Sequence, residues 1–273
     1  FEVADAGAVG PGCPGEVRYL KRLVGYTEML PETSLPGFYW KADSKNIKEL
    51  MTWTKKAGGI KSSPTPGTKA TGANMRTALD PLPHQRAKEV ASAGGLALYV
   101  SGDRPDTMFA SKTIMQHVSR PNVLMEARLM RLIRHYAGHP ELLWCHELQD
   151  APKIMLAEGD SDWAASTEEL RRSTSGGVIR YGGHFWEAYS VTQATQALSS
   201  GEAEFYATGS AMARGFLAKA FLQETGCTEI DLQATSGSAA GREICHRHGV
   251  GKARHLELRY LWAQERVRLK QRK

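Results

Sequence analysis

The first half of the chain carries apolar residues at helical spacing. Between residues 82 and 137 they recur every three or four positions, which is the period of an amphipathic α-helix. In the segment 123–136, for example, Leu129 and Leu132 are apolar while Arg131 lies between them. The pattern predicts three helices in this region.

From residue 153 onward the pattern changes to short apolar runs that are typical of β-strands. Ile154–Leu156, Gly177–Tyr181 and His184–Tyr189 predict three consecutive strands. The last two runs are separated by the dipeptide Gly182-Gly183, and a glycine pair is typical of a two-residue hairpin loop.

A capped helix and a further strand follow this hairpin. Ser199 and Glu202 have the spacing of a capping box, in which the two side chains satisfy free backbone amides at a helix start. The helix is predicted to end at Gly226. Ile230–Ala234 predicts a fourth strand, and a final helix is expected from about Leu256.

The N-terminal part has a weaker pattern. Residues 1–36 show little periodicity and include a run rich in Gly and Pro, so we expect a poorly ordered segment. Phe38–Trp40 predicts a short strand, and Asp43 or Ser44 is placed to cap a helix after it. Residues 61–83 are rich in Ser, Pro, Thr and Gly and predict a linker.

The element order therefore predicts three regions. Residues 1–36 form the poorly ordered start, and residues 37–152 form a mainly helical region that contains the linker. Residues 153–273 form a compact α/β domain, because strands, helix and strand alternate there within an ordinary domain length.

Composition narrows the class of protein. The 273 residues are 41% hydrophobic, which excludes disorder throughout, and the net charge is +6. Residues 254–273 hold most of that charge, which favours contact with a polyanion, although a solvated helix face is the alternative. No apolar run approaches the roughly 18 residues of a membrane span, and no signal peptide is evident.

The cysteines and the first residue bear on the cellular context. Four cysteines lie far apart with no paired spacing, which fits reduced thiols in an intracellular protein, with cytoplasm and nucleus both left open. The first residue is Phe, so we expect the chain to be a piece of a longer protein.

Three acidic residues fall at the ends of predicted elements in the last region. Asp160 follows the first strand, Glu204 lies in the first turns of the capped helix, and Glu257 opens the terminal helix. Carboxylates gathered in this way suit a pair of Mg²⁺ ions, which take oxygen ligands and together can clamp a phosphate during hydrolysis. Acids at helix starts also stabilise the helix dipole, so the spacing alone leaves a structural role open.

Four sequence motifs occur in order along the last region. They are Glu158-Gly159-Asp160-Ser161-Asp162-Trp163-Ala164, Arg172-Ser173-Thr174-Ser175-Gly176-Gly177, Thr195-Gln196-Ala197-Leu198-Ser199-Ser200-Gly201-Glu202-Ala203-Glu204-Phe205 and Arg254-His255-Leu256-Glu257-Leu258-Arg259-Tyr260. With these motifs the region resembles the ribonuclease H domain of copia-type LTR retrotransposon Pol polyproteins, and the stretch 37–152 resembles the connection between reverse transcriptase and that domain.

The resemblance implies a ribonuclease H-like fold, a five-stranded mixed sheet flanked by helices, in an α/β protein. It implies hydrolysis of the RNA strand of RNA–DNA hybrids. The implied cofactor is a pair of Mg²⁺ or Mn²⁺ ions, which activate water and stabilise the leaving oxygen. The implied partners are the hybrid, or another nucleic acid, and the reverse transcriptase part of the same polyprotein, with no membrane. The aspartate pair of the polymerase site precedes this region in the family and is not in the chain.

Carried over residue by residue, the resemblance places the metal-binding and catalytic carboxylates on Asp160, Glu204 and Glu257. Asp162 is the nearby alternative to Asp160, and we interpret it as a solvated loop acid. Glu202 is better explained as the partner in the capping box.

The chain departs from the family at the fourth strand. Thr235 stands where the family has an Asp, and the nearest acid, Asp231, lies four residues earlier. At about 3.3 Å per residue that acid would be on the order of 13 Å from the ligand position. Thr235 or Ser236 offers only a neutral hydroxyl, so we expect weakened metal binding and an impaired nuclease.

Other residues suggest nucleic-acid contact. In the family the loop that carries Arg247, Lys252, Arg254 and His255 lies near the substrate, so we interpret it as a basic nucleic-acid-binding loop. Cys245 with its neighbouring histidines would be the zinc-site alternative, but a second ligand pair is missing. Four aromatic residues that could stack on bases are predicted to be core: Trp163, Trp186, Tyr206 and Trp262.

Two functions from different classes are therefore expected. The first is a metal-dependent endonuclease that cleaves the RNA of RNA–DNA hybrids and is impaired at Thr235. The second is a non-catalytic nucleic-acid-binding remnant of a transposable element, which binds the hybrid in a salt-dependent way and leaves it intact. A decayed reading frame that does not fold stably is the third possibility.

Overall fold

The computed structural model describes residues 7–13, 15–42, 44–53, 60–67, 78–163, 172–251, 256 and 258–271. The chain divides into two compact units, one ending at Leu148 and one beginning at Gln149. This division lies close to the boundary predicted between residues 152 and 153. In the described part of the chain, no helix is both long and apolar enough to cross a membrane.

The first unit combines an antiparallel sheet with four helices. The sheet has the order β1-β2-β3-β4, with β1 at Glu16–Tyr19, β2 at Arg22–Thr27, β3 at Gly37–Ala42 and β4 at Leu143–Glu147. The helices are α1 at Lys45–Trp53, α2 at His84–Ser101, α3 at Met108–Met115 and α4 at Val123–Gly138, with a 3-10 turn at Pro105–Thr107.

The helical prediction for this unit is confirmed, whereas the expectation of a poorly ordered start is wrong for β1 and β2. Strand β1 pairs with β2, and β2 pairs with the predicted strand β3, so their order depends on pairing with another part of the chain. The hairpin between them turns at Leu20 and Lys21, both with positive φ. Neither residue is a glycine, and this removed the usual turn signal from the sequence.

The second unit contains a mixed sheet of the order β7-β6-β5-β8. Strand β6 pairs antiparallel with both β5 and β7, while β5 and β8 run parallel. The strands are β5 at Ile154–Asp162, β6 at Thr174–Tyr181, β7 at His184–Thr192 and β8 at Asp231–Ser236. The hairpin at Gly182 and Gly183 is confirmed, with Tyr181 directly opposite His184.

Helix α5, Ser200–Glu224, packs against β5, β6 and β8 on one side and against α6, Ala239–His246, on the other. Two apolar cores therefore flank α5. Met155, Ala157 and Ile179 of the sheet lie in one core, and Phe205 and Tyr206 of the helix lie in the other. Helix α7 occupies Trp262–Gln271 after a 3-10 turn at Leu258–Tyr260, so the last helix begins six residues after the predicted start near Leu256.

The protein is thus a mixed α/β protein, as predicted, with two four-stranded sheets and seven helices among the residues that the structure describes. A fifth strand beside β8 has no counterpart in that part of the chain.

Candidate functional site

Two strand ends meet where the candidate acids were predicted. In the parallel pair β5 and β8, Glu158 lies opposite Thr235 and Gly159 lies opposite Ser236. Gly159 is buried beneath α5, and Asp160, the next residue, is exposed. Side chains alternate between the two faces along a strand. Asp160 and Thr235 therefore project from the face of the sheet opposite α5, at the carboxyl ends of β5 and β8.

Glu204 lies in the second turn of α5 and faces the same strand ends. Its Oε2 accepts a long hydrogen bond of 3.5 Å from Ser236 Oγ. The Ser161 backbone also hydrogen-bonds to this carboxylate, and the Ser161 hydroxyl lies close by but without a standard hydrogen-bond geometry. Glu204 is therefore surrounded by neutral donors from both strands.

The electrostatics of Glu204 differ from those of an ordinary surface acid. Burial raises the pKa of this carboxyl, the negative charge of Asp160 raises it further, and the contacts with Ser161 and Ser236 lower it in part. Among the described residues no cation forms an ion pair with Glu204. The two carboxylates thus lie close enough to repel each other.

Glycines bring α5 close to the strand ends. A Cβ on Gly159 would lie 2.8 Å from the carbonyl oxygen of Ala207, and a Cβ on Gly241 would lie 2.9 Å from Cβ of Glu204. A Cβ atom essentially never makes contacts that short, so a side chain at Gly159 would shift α5 relative to β5, and one at Gly241 would shift α6 relative to α5. The two glycines therefore allow the close packing around Glu204.

The structure places Ser236, and not Thr235, beside Glu204. Thr235 is exposed on the opposite face of β8, whereas Ser236 is half-buried. Asp231 lies opposite Ile154 at the other end of the strand pair, six residues from the level of Asp160. At about 3.3 Å per residue it is roughly 20 Å away, so it cannot supply the missing ligand.

Two further acids have structural partners. Asp162 Oδ1 accepts a hydrogen bond from the backbone N–H of Thr174, which joins the ends of β5 and β6. Glu202 is 2% exposed and accepts hydrogen bonds from the backbone N–H of Leu198 at 2.8 Å and from Tyr206 Oη at 2.5 Å. The N-cap at Ser199 is confirmed, with its hydroxyl accepting from the Glu202 amide at 3.2 Å.

The described donor set falls short of what a pair of Mg²⁺ ions needs. It offers two carboxylates, Asp160 and Glu204, together with the neutral hydroxyls of Ser161 and Ser236. No group of three His, Cys, Asp or Glu side chains with metal-binding geometry occurs within the described ranges. Glu257 lies outside them, and two carboxylates without it suit at most one weakly held ion.

The basic loop is described only in part, since Lys252, Arg254 and His255 also lie outside the described residues. Arg247 follows α6, and its guanidinium lies against Gly251, 3.3 Å from where a Cβ there would be. Its Nε and Nη2 are buried with no hydrogen-bond partner among the residues described. Burial raises the pKa of the neighbouring Cys245 thiol to about 11, which disfavours the thiolate that zinc requires.

The aromatic residues do not all lie in the core. Tyr206 is 1% exposed, and Trp262 packs on the same apolar cluster. Trp186 and Trp163, by contrast, are 39% and 51% exposed. The prediction of a core position is wrong for these two. Trp163 follows the last residue of β5, and Trp186 packs against Phe221 of α5, which is itself largely exposed.

Comparison with protein-family models, with curated proteins and with solved structures finds no match to this chain. The half-buried carboxylate of Glu204 and the exposed carboxylate of Asp160 lie within electrostatic range of each other at the carboxyl edge of two parallel strands. Such an edge is where α/β sheets commonly place ligands.

Proposed function

We propose that residues 149–273 are a ribonuclease H-like domain derived from a copia-type LTR retrotransposon polyprotein, with an impaired ancestral activity. That activity is metal-dependent hydrolysis of the RNA strand in RNA–DNA hybrids. The observation that carries the proposal is the Glu204 carboxylate, which α5 holds beside the ends of β5 and β8 within electrostatic range of Asp160. Residues 37–148 are then the reverse transcriptase connection region.

The convergence of separate motifs supports the proposal. The first motif ends β5, the second opens β6, and their residues Asp162 and Thr174 are joined by a hydrogen bond. The third motif leads into α5, and its Ala197 accepts a hydrogen bond from Trp163 Nε1 at 3.2 Å. Three segments that are distant in sequence and were linked only by resemblance therefore lie at one end of one sheet.

The impairment follows from the charges. Mg²⁺ and Mn²⁺ are held by several oxygen ligands, and the charged ligands contribute most to the affinity. At this site β8 offers only the hydroxyl of Ser236. Asp160, Glu204 and Glu257 would hold the ions, whose chemistry is to activate water and to stabilise the leaving oxygen. With a neutral group from β8, we expect weak metal binding and slow cleavage.

A second candidate is a non-catalytic nucleic-acid-binding remnant. It is favoured by the neutral donors around Glu204, because the Ser161 backbone and the Ser236 hydroxyl already satisfy this carboxylate in part without a metal. Such a remnant would bind the hybrid through its basic surface with an affinity that falls as salt concentration rises.

Cleavage of a labelled RNA–DNA hybrid by the full chain, in Mg²⁺ and in Mn²⁺, distinguishes the two. The variants are Asp160→Asn, Ser236→Asp, which adds a carboxylate on the Glu204 side of β8, and Thr235→Asp, which adds the same charge on the side of Asp160. Slow cleavage by the parent that Asp160→Asn abolishes supports the impaired nuclease, and faster cleavage by Ser236→Asp than by Thr235→Asp identifies the lost ligand.

If the parent binds the hybrid and cleaves nothing, while Ser236→Asp cleaves, the remnant is the correct description. If no variant binds or cleaves although all unfold cooperatively, the proposed function is wrong.

A further inference from the structure

The outer edge of β8 borders a cleft in the second unit. Strand β8 is the last in the sheet order β7-β6-β5-β8, and no strand among the described residues pairs with its other side. The cleft has a volume of about 800 Å³, and the four consecutive residues 231–234 of β8 line it. Consecutive side chains point to opposite faces of a sheet, so a cleft that all four residues line runs along the strand edge.

The backbone of β8 presents hydrogen-bonding groups to this edge. The Asp231 N–H donates to the carbonyl oxygen of Lys153 at 2.7 Å, so the backbone groups of Asp231 face β5. Because these groups alternate in direction along a strand, the N–H and C=O of Ala234 face the outer edge. The carbonyl oxygen of Ser236 has the same direction as that of Ala234, and it accepts a hydrogen bond from Arg242 Nη1 at 2.6 Å.

Strand β8 lacks the features that usually keep a sheet edge from pairing. Its six residues include no proline and no lysine, and they pair with β5 in an unbroken register. The opposite edge strand, β7, differs because it carries a bulge: Trp186 is an extra residue between Phe185 and Glu187, which pair with successive residues of β6. A regular edge without such features accepts a further strand, so β8 is the edge of this sheet suited to strand addition.

The walls of the cleft combine apolar and positively charged side chains. Helix α5 contributes Met212, Phe216 and Lys219, whose spacing places them on one face of the helix. Helix α7 contributes Leu269 and Arg266, and the Arg266 guanidinium lies over the Phe216 ring, 5.5 Å from its centre. Among the described residues, neither Lys219 nor Arg266 has an ion-pair partner. The walls therefore suit a ligand that carries both apolar and acidic groups.

We propose that this cleft binds an extended acidic peptide of a partner protein, which adds to β8 as a further strand. The peptide backbone pairs with the outer edge at Ala234, its apolar side chains contact α5 and α7, and its carboxylates pair with Lys219 and Arg266. A nucleic acid would also satisfy the two cations, but it has no N–H and C=O groups at the spacing of a strand. The cleft does not include Asp160 or Glu204, so the inference goes beyond the proposed function and does not depend on it.

Binding of a fluorescein-labelled peptide to the full chain tests the proposal by fluorescence anisotropy. The probe alternates valine and glutamate over about eight residues, which at about 3.3 Å per residue is long enough to span β8. A second peptide, in which lysine replaces glutamate, should not bind. Lys219→Glu and Arg266→Glu are each expected to weaken binding of the glutamate peptide about fivefold. Arg268→Glu is the matched control, because Arg268 is an exposed residue of the same helix that does not line the cleft, and it should bind as the parent does.

Hydrogen exchange in the parent protein tests the strand pairing without any variant. Bound peptide should slow exchange of the Ala234 amide, which faces the outer edge. Exchange of the Thr235 amide, which faces β5, should not change.

The proposal is overturned if the glutamate peptide does not bind at millimolar concentration, if it binds without protecting Ala234, or if Arg268→Glu weakens binding as much as Arg266→Glu. Protection of Ala234 only by an RNA–DNA hybrid, or only on self-association of the chain, would assign the cleft to those occupants and would overturn it as well. None of these results bears on cleavage, which is measured separately through Asp160 and Ser236.

Discussion

Each unit of the molecule holds a partly buried carboxylate in a polar cluster, and the two behave in opposite ways. In the first unit burial would raise the pKa of Asp106, but hydrogen bonds and charge from Arg104 and His135 outweigh it and lower that pKa. In the second unit burial and the charge of Asp160 raise the pKa of Glu204. One acid is compensated by cations, and the other is left with hydroxyl and amide donors.

The difference in charge compensation distinguishes the structural cluster around Asp106 from the candidate site around Glu204. Arg104 is 2% exposed and places Nε and Nη2 on the two oxygens of Asp106, at 2.9 and 2.8 Å. The charge of Asp106 is thus compensated without a ligand, although Arg104 Nη1 is buried with no hydrogen-bond partner among the described residues. The carboxylate of Glu204 has no ion-pair partner among the described residues, and a partly buried acid without a compensating cation is a physical sign of function. The predictions below test this contrast, from the largest effect to the smallest.

Asp106→Asn is expected to destabilise the first unit by about 3 kcal/mol at neutral pH, because it leaves the buried guanidinium of Arg104 without its counter-charge. The folded pKa of Asp106 is lowered, so its stabilisation is present above the ordinary value of 3.8 and is lost as pH falls through the folded pKa. The cost of the substitution should therefore shrink in acid, as measured by urea unfolding at pH 7 and pH 3.

The control for that experiment is Asp103→Asn. Asp103 also accepts two hydrogen bonds from one arginine, Arg22, but that pair is more exposed, at 23% and 42% for the two side chains. Its loss should cost less than about 1 kcal/mol. Equal costs at the two positions would contradict the structural role of the Arg104 cluster.

Ser236→Asp is expected to destabilise the second unit by about 2 kcal/mol without metal, because it adds a negative charge in contact with Glu204. Added Mg²⁺ should more than restore the melting temperature, since bound metal stabilises by roughly 2.7 kcal/mol at one hundred times its dissociation constant. Thermal unfolding with and without Mg²⁺ measures both effects. Thr235→Asp, on the face of β8 away from Glu204, should show a smaller destabilisation and a smaller response to Mg²⁺. An equal response at the two positions would argue against Ser236 as the ligand position.

Glu202→Ala is expected to cost about 1 to 2 kcal/mol, because it removes the acceptor for the Leu198 amide and the Tyr206 hydroxyl. Chemical denaturation measures this loss. The response of the protein to Mg²⁺ should not change, as Glu202 is a capping residue. A variant that loses metal binding at unchanged stability would assign Glu202 to the site instead.

Glu204→Gln is expected to stabilise the metal-free protein by less than about 1 kcal/mol at pH 7. The folded pKa of Glu204 is raised, so its ionisation costs stability as pH rises above the ordinary value of 4.5 and through the folded pKa. Below that ordinary value the gain should vanish. Melting temperatures at pH 3.5 and pH 7 test the sign, and a loss of stability at pH 7 would show that Glu204 is compensated in the way that Asp106 is.

Local signals in the sequence were sufficient to predict most of the helices and strands of the second unit. The glycine pair predicted the β6–β7 hairpin, and the spacing of Ser199 and Glu202 predicted the start of α5, because turns and caps are decided within a few residues. The strands β1, β2 and β4 could not be predicted in this way. Their stability comes from pairing across the chain, and their apolar pattern is short.

The site could be predicted only in part, for the same reason. The motifs selected Asp160 and Glu204, and the structure brings them into electrostatic range. Which residue of β8 completes the site depends on the register against β5 and on which face α5 covers. A shift of one residue moves a side chain to the other face, so the choice between Thr235 and Ser236 could not be made from spacing alone.

The close approach of α5 to the sheet at Gly159 has an evolutionary consequence. The spacing is set by a missing side chain, and not by an attraction between the acids, so it does not depend on whether the site works. Under the proposed function, a substitution on β8 would therefore change the charge of the site while the packing of α5 on β5 stays the same. Activity and fold could then be lost or kept separately.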